Sequence, residues 1–246
     1  MIADPTIRRT EMITLVQYPR AFGLPNPSPF CMKAEILLKM SGLDYAVETT
    51  PDPRKAPKGK LPAIRDDGRV IGDSEMIRKH LETAYGVEFD RGLDARARAV
   101  AHAFCRMVEE RTYWTVVHSR WVDAANWPTI RRQFFRGLPP VIRTLVPIRA
   151  RQHVLAELRG HGIGRHAAKE IYDFGIADIR AVAAWLGDKP FFMGDTPTGA
   201  DATIYAFLAG VAEVPLGSPM KDEALKHDTL MAYSRHCRDR WFPEMP

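Results

Sequence analysis

Ser28 and Cys31 stand three residues apart in the stretch PNPSPFCMK (residues 25–33), behind prolines at 25, 27 and 29. The spacing is that of a redox Cys-x-x-Cys pair with serine in the first place. A hydroxyl cannot close a disulfide with Cys31, so dithiol exchange is disfavoured. The prolines stiffen the approach; Ser28 suits a helix N-cap and Pro29 the first helical position. Free amides and the dipole at such a helix start stabilise an anion. A serine hydroxyl there can donate a hydrogen bond to a thiolate, the reactive form of sulfur. The competing reading makes Ser28 a plain cap. Cys31, one turn in, reads as a half-buried core thiol, with a mixed disulfide as its chemical alternative. Lys33 lies five residues after Ser28, points away from that face and reads as a solvated lysine.

Three other places carry polar groups in telling positions. In GDSEMI (residues 72–77), Asp73 and Ser74 open a helix, where hydroxyl, amide and dipole suit a bound carboxylate or simple capping. Leu61-Pro62 enters an apolar strand, a position where proline is tolerated, and Lys58 and Lys60 flank it as loop lysines. In HGIGRH, two glycines precede Arg165 and His166; this reads first as a turn. His161 and His166 lack metal spacing, and no acidic partner lies at matching spacing.

The elements that must position these groups follow from the pattern. Residues 12–18 are apolar and β-branched and predict a buried strand. A helix follows from Pro29 to about Met40, with Met32, Ile36 and Met40 on one face and Gly42 at its far end. Residues 45–50 predict a second strand, and 61–72 a hairpin turning at Asp67-Gly68. A helix over 73–86 aligns Ile77, Leu81 and Tyr85 and stops at Gly86. No strand signal follows Arg91. Residues 95–121 predict one long helix with Val100, Phe104, Met107, Trp114 and Val117 near one face. Residues 126–158 predict shorter helices interrupted at Pro128, at 137–140 and at Pro147. Two more helices follow, over 162–188 and 196–214. The expected domains are 12–86 and 92–246, in keeping with common domain sizes.

Composition narrows the class. Of 246 residues, 46% are hydrophobic and 26% charged, as in soluble globular proteins, and the net charge of +5 tolerates anionic partners without a nucleic-acid motif. Cys31, Cys105 and Cys237 are odd in number and widely spaced, which argues against a disulfide framework or structural metal and fits a reducing cytoplasm. The start of the chain has no apolar signal region. The run IYAFLAGVA is too short to span a membrane. Between Arg131 and Arg151 lie six arginines and no acidic residue, interleaved with Phe134, Phe135, Ile142, Leu145 and Val146. A solvated helix face packed by its apolar side is preferred over a membrane-surface patch.

A mixed α/β half followed by an all-helical half, with SPFCMK, GIGRH and FMGDTPTGADATIYAFLA, resembles the glutathione transferase superfamily, within it the failed-axon-connections and metaxin branch. The resemblance covers most of the chain from Thr14. It implies a thioredoxin-like N-terminal domain plus an all-α C-terminal domain, glutathione as co-substrate, and a homodimer. It implies a cis Leu61-Pro62 bond, with Leu61 offering its backbone to the cysteinyl part of glutathione. Ser74 and Asp73 would hold the γ-glutamyl end, and Lys58 or Lys60 would meet the glycyl carboxylate. Ser28 would donate to the glutathione sulfur. Tyr18 is the alternative hydroxyl, ranked lower because a long loop separates it from the helix, and Cys31 the alternative thiol. A small electrophilic second substrate would meet Phe104, Met107, Arg111 and Trp114, in a cleft between the domains. Thr198 and Asp201 would form a structural capping box. A non-catalytic scaffold of the metaxin type, or a glutathione-dependent lyase or isomerase, are the alternatives the same resemblance allows.

Overall fold

The computed structural model describes residues 12–245. The N-terminal stretch in which the sequence shows no signal region falls largely outside them. Residues 12–19 and 26–89 form one compact unit; residues 20–25 and 90–245 form a second. The division falls at Phe89–Asp90, and the short loop 20–25 joins the second unit, a detour that the linear reading did not contain.

The first unit is built on β1 (Ile13–Gln17), α1 (Pro29–Ser41), β2 (Tyr45–Thr49), β3 (Ala63–Asp66), β4 (Arg69–Gly72) and α2 (Ser74–Tyr85). The strands form one sheet in the order β2-β1-β3-β4. β1 and β2 are parallel, with Leu15 opposite Val47, and β1 and β3 antiparallel, with Leu15 opposite Ile64. β1 is buried at Leu15 and Val16, which point to opposite faces of the sheet, as in a strand covered on both sides. The β3–β4 hairpin turns through Asp67 and Gly68, both at positive φ (46° and 74°), the backbone that a two-residue hairpin requires. Gly42 and Gly86 end α1 and α2 in the left-handed conformation.

The second unit holds α3 (Ala95–Met107), a π-helical turn (Val108–Thr112), α4 (Tyr113–Trp121), α5 (Trp127–Phe135), α6 (Leu145–His161), α7 (Ala168–Leu186), α8 (Gly199–Ala212), α9 (Pro219–Ala224) and α10 (Asp228–Trp241). α8 is buried along its whole length, which explains its all-round apolar composition. At Gly175 of α7, an added Cβ would run into the side chains of Met220 and Thr115, so a larger residue there forces its neighbours to shift. α9 and α10 were not anticipated.

Three expectations are corrected here. Most of the predicted face of the long helix is displaced: Val117 is buried as expected, but Val100, Phe104, Met107 and Trp114 are half-buried, and the buried row also takes in Ala101, Cys105, Val108, Thr112, Thr115 and Val116. Small side chains in that row let neighbours approach closely, and the π turn shifts the register midway. Pro128 and Pro147 do not interrupt helices; each sits in the first turn of one, where no N–H is needed. The apolar side of the basic tract is not packed throughout, since Val141, Ile142, Leu145 and Ile148 are exposed.

Candidate functional site

The loop between β1 and α1 is organised by a residue that the sequence reading passed over. Asn26 is fully buried; its Nδ2 donates to the Tyr18 carbonyl at 2.7 Å and its Oδ1 accepts the Ser28 amide at 3.0 Å. One side chain thus ties the end of β1 to the start of α1. An asparagine two residues before a Ser-Pro helix start is the visible signal, because its carbonyl reaches the amide two residues on.

Ser28 is half-buried and caps α1: its Oγ accepts the Cys31 amide at 3.4 Å. A hydroxyl that accepts retains its own proton for donation, so capping and donation to sulfur are compatible at this atom. Cys31 is fully buried rather than half-buried. Burial pushes its thiol up to about 12; hydrogen bonds from the Tyr18 backbone and the Ser28 side chain pull part of the way back, and Glu35 adds a small push upward. The thiol is therefore protonated at neutral pH and belongs to the core.

Tyr18 is not remote from this place. It packs on the cluster of Val16, Cys31, Ala56, Leu61 and Ala63. The loop that separates Tyr18 from α1 in sequence is folded back by Asn26, which is why residue count misled. Leu61, in the same cluster, precedes a cis peptide bond to Pro62. The Pro62 carbonyl in turn accepts the Asp73 amide at 3.1 Å. Contacts thus run continuously from Ser28 and Cys31 through Leu61-Pro62 to Asp73 and Ser74. Lys58 and Lys60 are exposed in the adjoining loop.

At the start of α2 the capping work falls to Asp73. Its carboxylate accepts the Glu75 amide at 2.9 Å and the Met76 amide at 3.4 Å, from a backbone at φ 90°, strained for a residue other than glycine. Ser74 is 5% exposed, and its hydroxyl makes no hydrogen bond with another described residue. Lys33 is a correction. It is 1% exposed, with Nζ 2.7 Å from Glu75, because α1 packs against α2 and covers its aliphatic stem. A further buried pair, Gln17 Nε2 to Glu35 at 2.7 Å, links β1 to α1.

In the second unit three of the four candidate substrate contacts go to different neighbours. Phe104 meets Trp185 and Phe192, at centroid distances of 5.7 and 5.2 Å. Arg111 Nε reaches both oxygens of fully buried Asp178 at 2.9 and 3.1 Å, and Thr112 donates to the same carboxylate at 2.8 Å. Trp114 stacks on His161 at 4.7 Å, and Met107 is half-buried. His166 has an acidic neighbour after all, Glu170 at 3.5 Å, one turn on. Asp201 is fully buried; it accepts the amides of Phe192 (2.7 Å) and Thr198 (2.8 Å) and the hydroxyls of Thr198 (3.1 Å) and Tyr233 (2.9 Å). Its carboxyl is raised by burial, against the opposing pull of these bonds. Among the described residues no His, Cys, Asp and Glu cluster has metal-binding geometry, and no helix is long and apolar enough to cross a membrane.

A sheet of this order with a cis-proline beside a helix start, followed by helices alone, defines a class. Residues 29–126 match the glutathione S-transferase N-terminal domain and residues 175–237 its C-terminal domain, and the chain belongs to the glutathione S-transferase family. It is 35% identical to the isoprene-epoxide–glutathione S-transferase of Rhodococcus sp. (strain AD45), over 83% of this chain and 88% of that one. It is 30% identical to Failed axon connections of Drosophila melanogaster, over 95% of this chain and 59% of that one. It is 28% identical to mouse metaxin-1, over 90% of this chain and 73% of that one. The fold is that of a Ceriporiopsis subvermispora glutathione S-transferase solved in complex with glutathione, with TM-score 0.63, 19% identity, and coverage of 94% of this chain and 98% of that one.

Proposed function

We propose that the protein binds glutathione in its N-terminal unit and activates the thiol for attack on a small electrophile. The observation that carries this reading is the unbroken run of contacts from Ser28 through Leu61-Pro62 to Asp73 and Ser74. In this reading the Leu61 backbone pairs with the cysteinyl part of glutathione. The Ser74 hydroxyl and the first amides of α2 hold the γ-glutamyl carboxylate, aided by the helix dipole. Asp73 faces the amino group, and Lys60 the glycyl carboxylate. Ser28 donates its remaining proton to the sulfur, which favours the thiolate. Cys31 packs behind it and takes no part in bond making.

Phe104, Met107, Arg111 and Trp114 are our candidates for contact with the second substrate. Similarity to a transferase named for an isoprene epoxide makes small epoxides the first electrophiles to try. Buried free cysteines support a reducing compartment such as the cytoplasm, and we take a homodimer as the expected assembly. A scaffold without chemistry, of the metaxin type, is the second reading; the matches to metaxin-1 and Failed axon connections, neither of them named as a transferase, support it.

Calorimetry with reduced glutathione tests the first step. Saturable binding that Ser74→Ala weakens supports the site; absence of binding at millimolar ligand overturns it. Glutathione consumption with an epoxide panel then separates enzyme from scaffold.

A further inference from the structure

From residue 124 to residue 156 the chain carries six arginines and no acidic side chain. Two of the six are engaged within the fold. Arg143 donates to the carbonyls of Arg136 (3.0 Å) and Leu138 (2.9 Å); Arg151 donates to those of Trp121 (2.7 Å) and Val122 (3.0 Å) and lies over the Trp127 ring. The other four, Arg131, Arg132, Arg136 and Arg149, are exposed, and their side chains make no ion pair or hydrogen bond with another described residue.

Apolar side chains stand in water among these arginines. Val141 is 86% exposed and Leu145 63%, with Ile142, Ile148 and Leu155 also exposed. On α6, Leu145, Ile148 and Leu155 recur at helical spacing, so they form one stripe. The opposite side of α6 already packs inward through Val154 and Leu158, beside Val117 and Ile171. The outer stripe is therefore a second apolar face, without a role in the core. Several exposed apolar side chains grouped among unpaired charges of one sign suit an interaction surface.

We propose that this face, the 136–144 turn with the outer stripe of α6, docks on an anionic lipid bilayer. The arginines meet phosphate and carboxylate headgroups, and Val141, Leu145 and Ile148 enter the boundary between headgroups and acyl chains. The helix lies on the membrane, since no described helix is long and apolar enough to cross one. Charge argues against a second copy as the occupant. A two-fold interface sets the same patch against itself; four unpaired arginines would face four others, with no acidic residue in the segment to separate them, and such like-charge contact is costly.

The full chain is floated with vesicles of phosphatidylcholine alone or with phosphatidylserine, at low and high salt. Binding is expected only with phosphatidylserine and should fall as salt rises. Each arginine near such a surface contributes about fivefold in partitioning. The variant with Arg131, Arg132, Arg136 and Arg149 all changed to Gln is thus expected to lose roughly a hundredfold or more. Leu145→Ser with Ile148→Ser should weaken binding at unchanged melting temperature. Glutathione affinity should be the same in all variants, which keeps this test separate from the active site. Equal flotation with neutral vesicles, no flotation with either, or binding indifferent to the arginines overturns the proposal. So does a dimer that Leu145→Glu converts to monomer while vesicle binding is unchanged, which would make the face an interface between copies.

Discussion

At α1 the serine is the cap: Ser28 accepts the Cys31 amide at 3.4 Å. At α2 an aspartate is the cap: Asp73 takes the Glu75 and Met76 amides, and Ser74, one residue on, keeps a hydroxyl that no other described residue engages. The two helix starts share a serine and a dipole, and they differ in what is left for a ligand. At the first, one hydroxyl must serve backbone and sulfur together. At the second, Asp73 holds the amides from a strained backbone, and the serine beside it is relieved of capping. In the proposed function the same residue type adjusts a thiol in one place and captures a carboxylate in the other.

The widest gap between the two should appear on removing each hydroxyl. Ser74→Ala is expected to weaken glutathione binding by roughly ten- to a hundredfold, the scale of a hydrogen bond to a charged group. Its melting temperature should hold, because Asp73 still caps α2. Calorimetry and thermal denaturation read both quantities, and a large loss of stability with unchanged affinity would erase the distinction. Ser28→Ala should instead leave glutathione affinity within about threefold and lower turnover about tenfold, if the thiolate loses a donor of that kind. It should also cost about 1 kcal/mol of stability through the lost cap. Steady-state rates and denaturant midpoints separate the two effects.

A smaller effect sharpens the role of strain at α2. Asp73→Ala keeps a backbone that alanine tolerates poorly and removes the cap, for a loss of about 1–3 kcal/mol. Asp73→Gly also removes the side chain but relieves φ 90°, so it should be the milder change. Equal denaturant midpoints for the two variants would show that the strain carries no weight.

The smallest expected effect is the inertness of Cys31. Its folded value of about 12 lies above the ordinary thiol value of 9.0. As pH rises past 9.0, the unfolded chain releases this proton and the folded chain holds it. Cys31 therefore lowers stability progressively between those two pH values and has no such effect at neutral pH. Native protein at neutral pH should leave this thiol unlabelled by an alkylating reagent, as mass spectrometry of the digested protein would report. Rapid labelling would place a thiolate where the account places a packed thiol.

Much of this contrast was legible in the sequence. Ser28-Pro29 and Gly42 bracket α1, Asp67-Gly68 marks the hairpin, and Asp73 and Ser74 open α2, because capping and turn chemistry are local. The rest depends on tertiary packing. Lys33 reads as solvated on a helical wheel, yet α2 covers it and Glu75 pairs with it. Tyr18 reads as distant from Cys31 along the chain, until buried Asn26 folds the intervening loop back. The buried row of α3 and α4 is displaced from the largest apolar side chains, because Ala101 and Cys105 allow close approach and a π turn resets the phase. Leu145 and Ile148 show the converse: apolar residues at helical spacing that face outward.

Ultraviolet titration of the thiolate of bound glutathione, recorded as the difference between protein with and without ligand, reaches the central claim most directly. The account predicts a bound thiol that ionises below the ~8.5 of free cysteine, and a return toward that value in Ser28→Ala. Cys31, protonated up to about 12, should not contribute in that range. An identical titration midpoint in the native protein and in Ser28→Ala would contradict it.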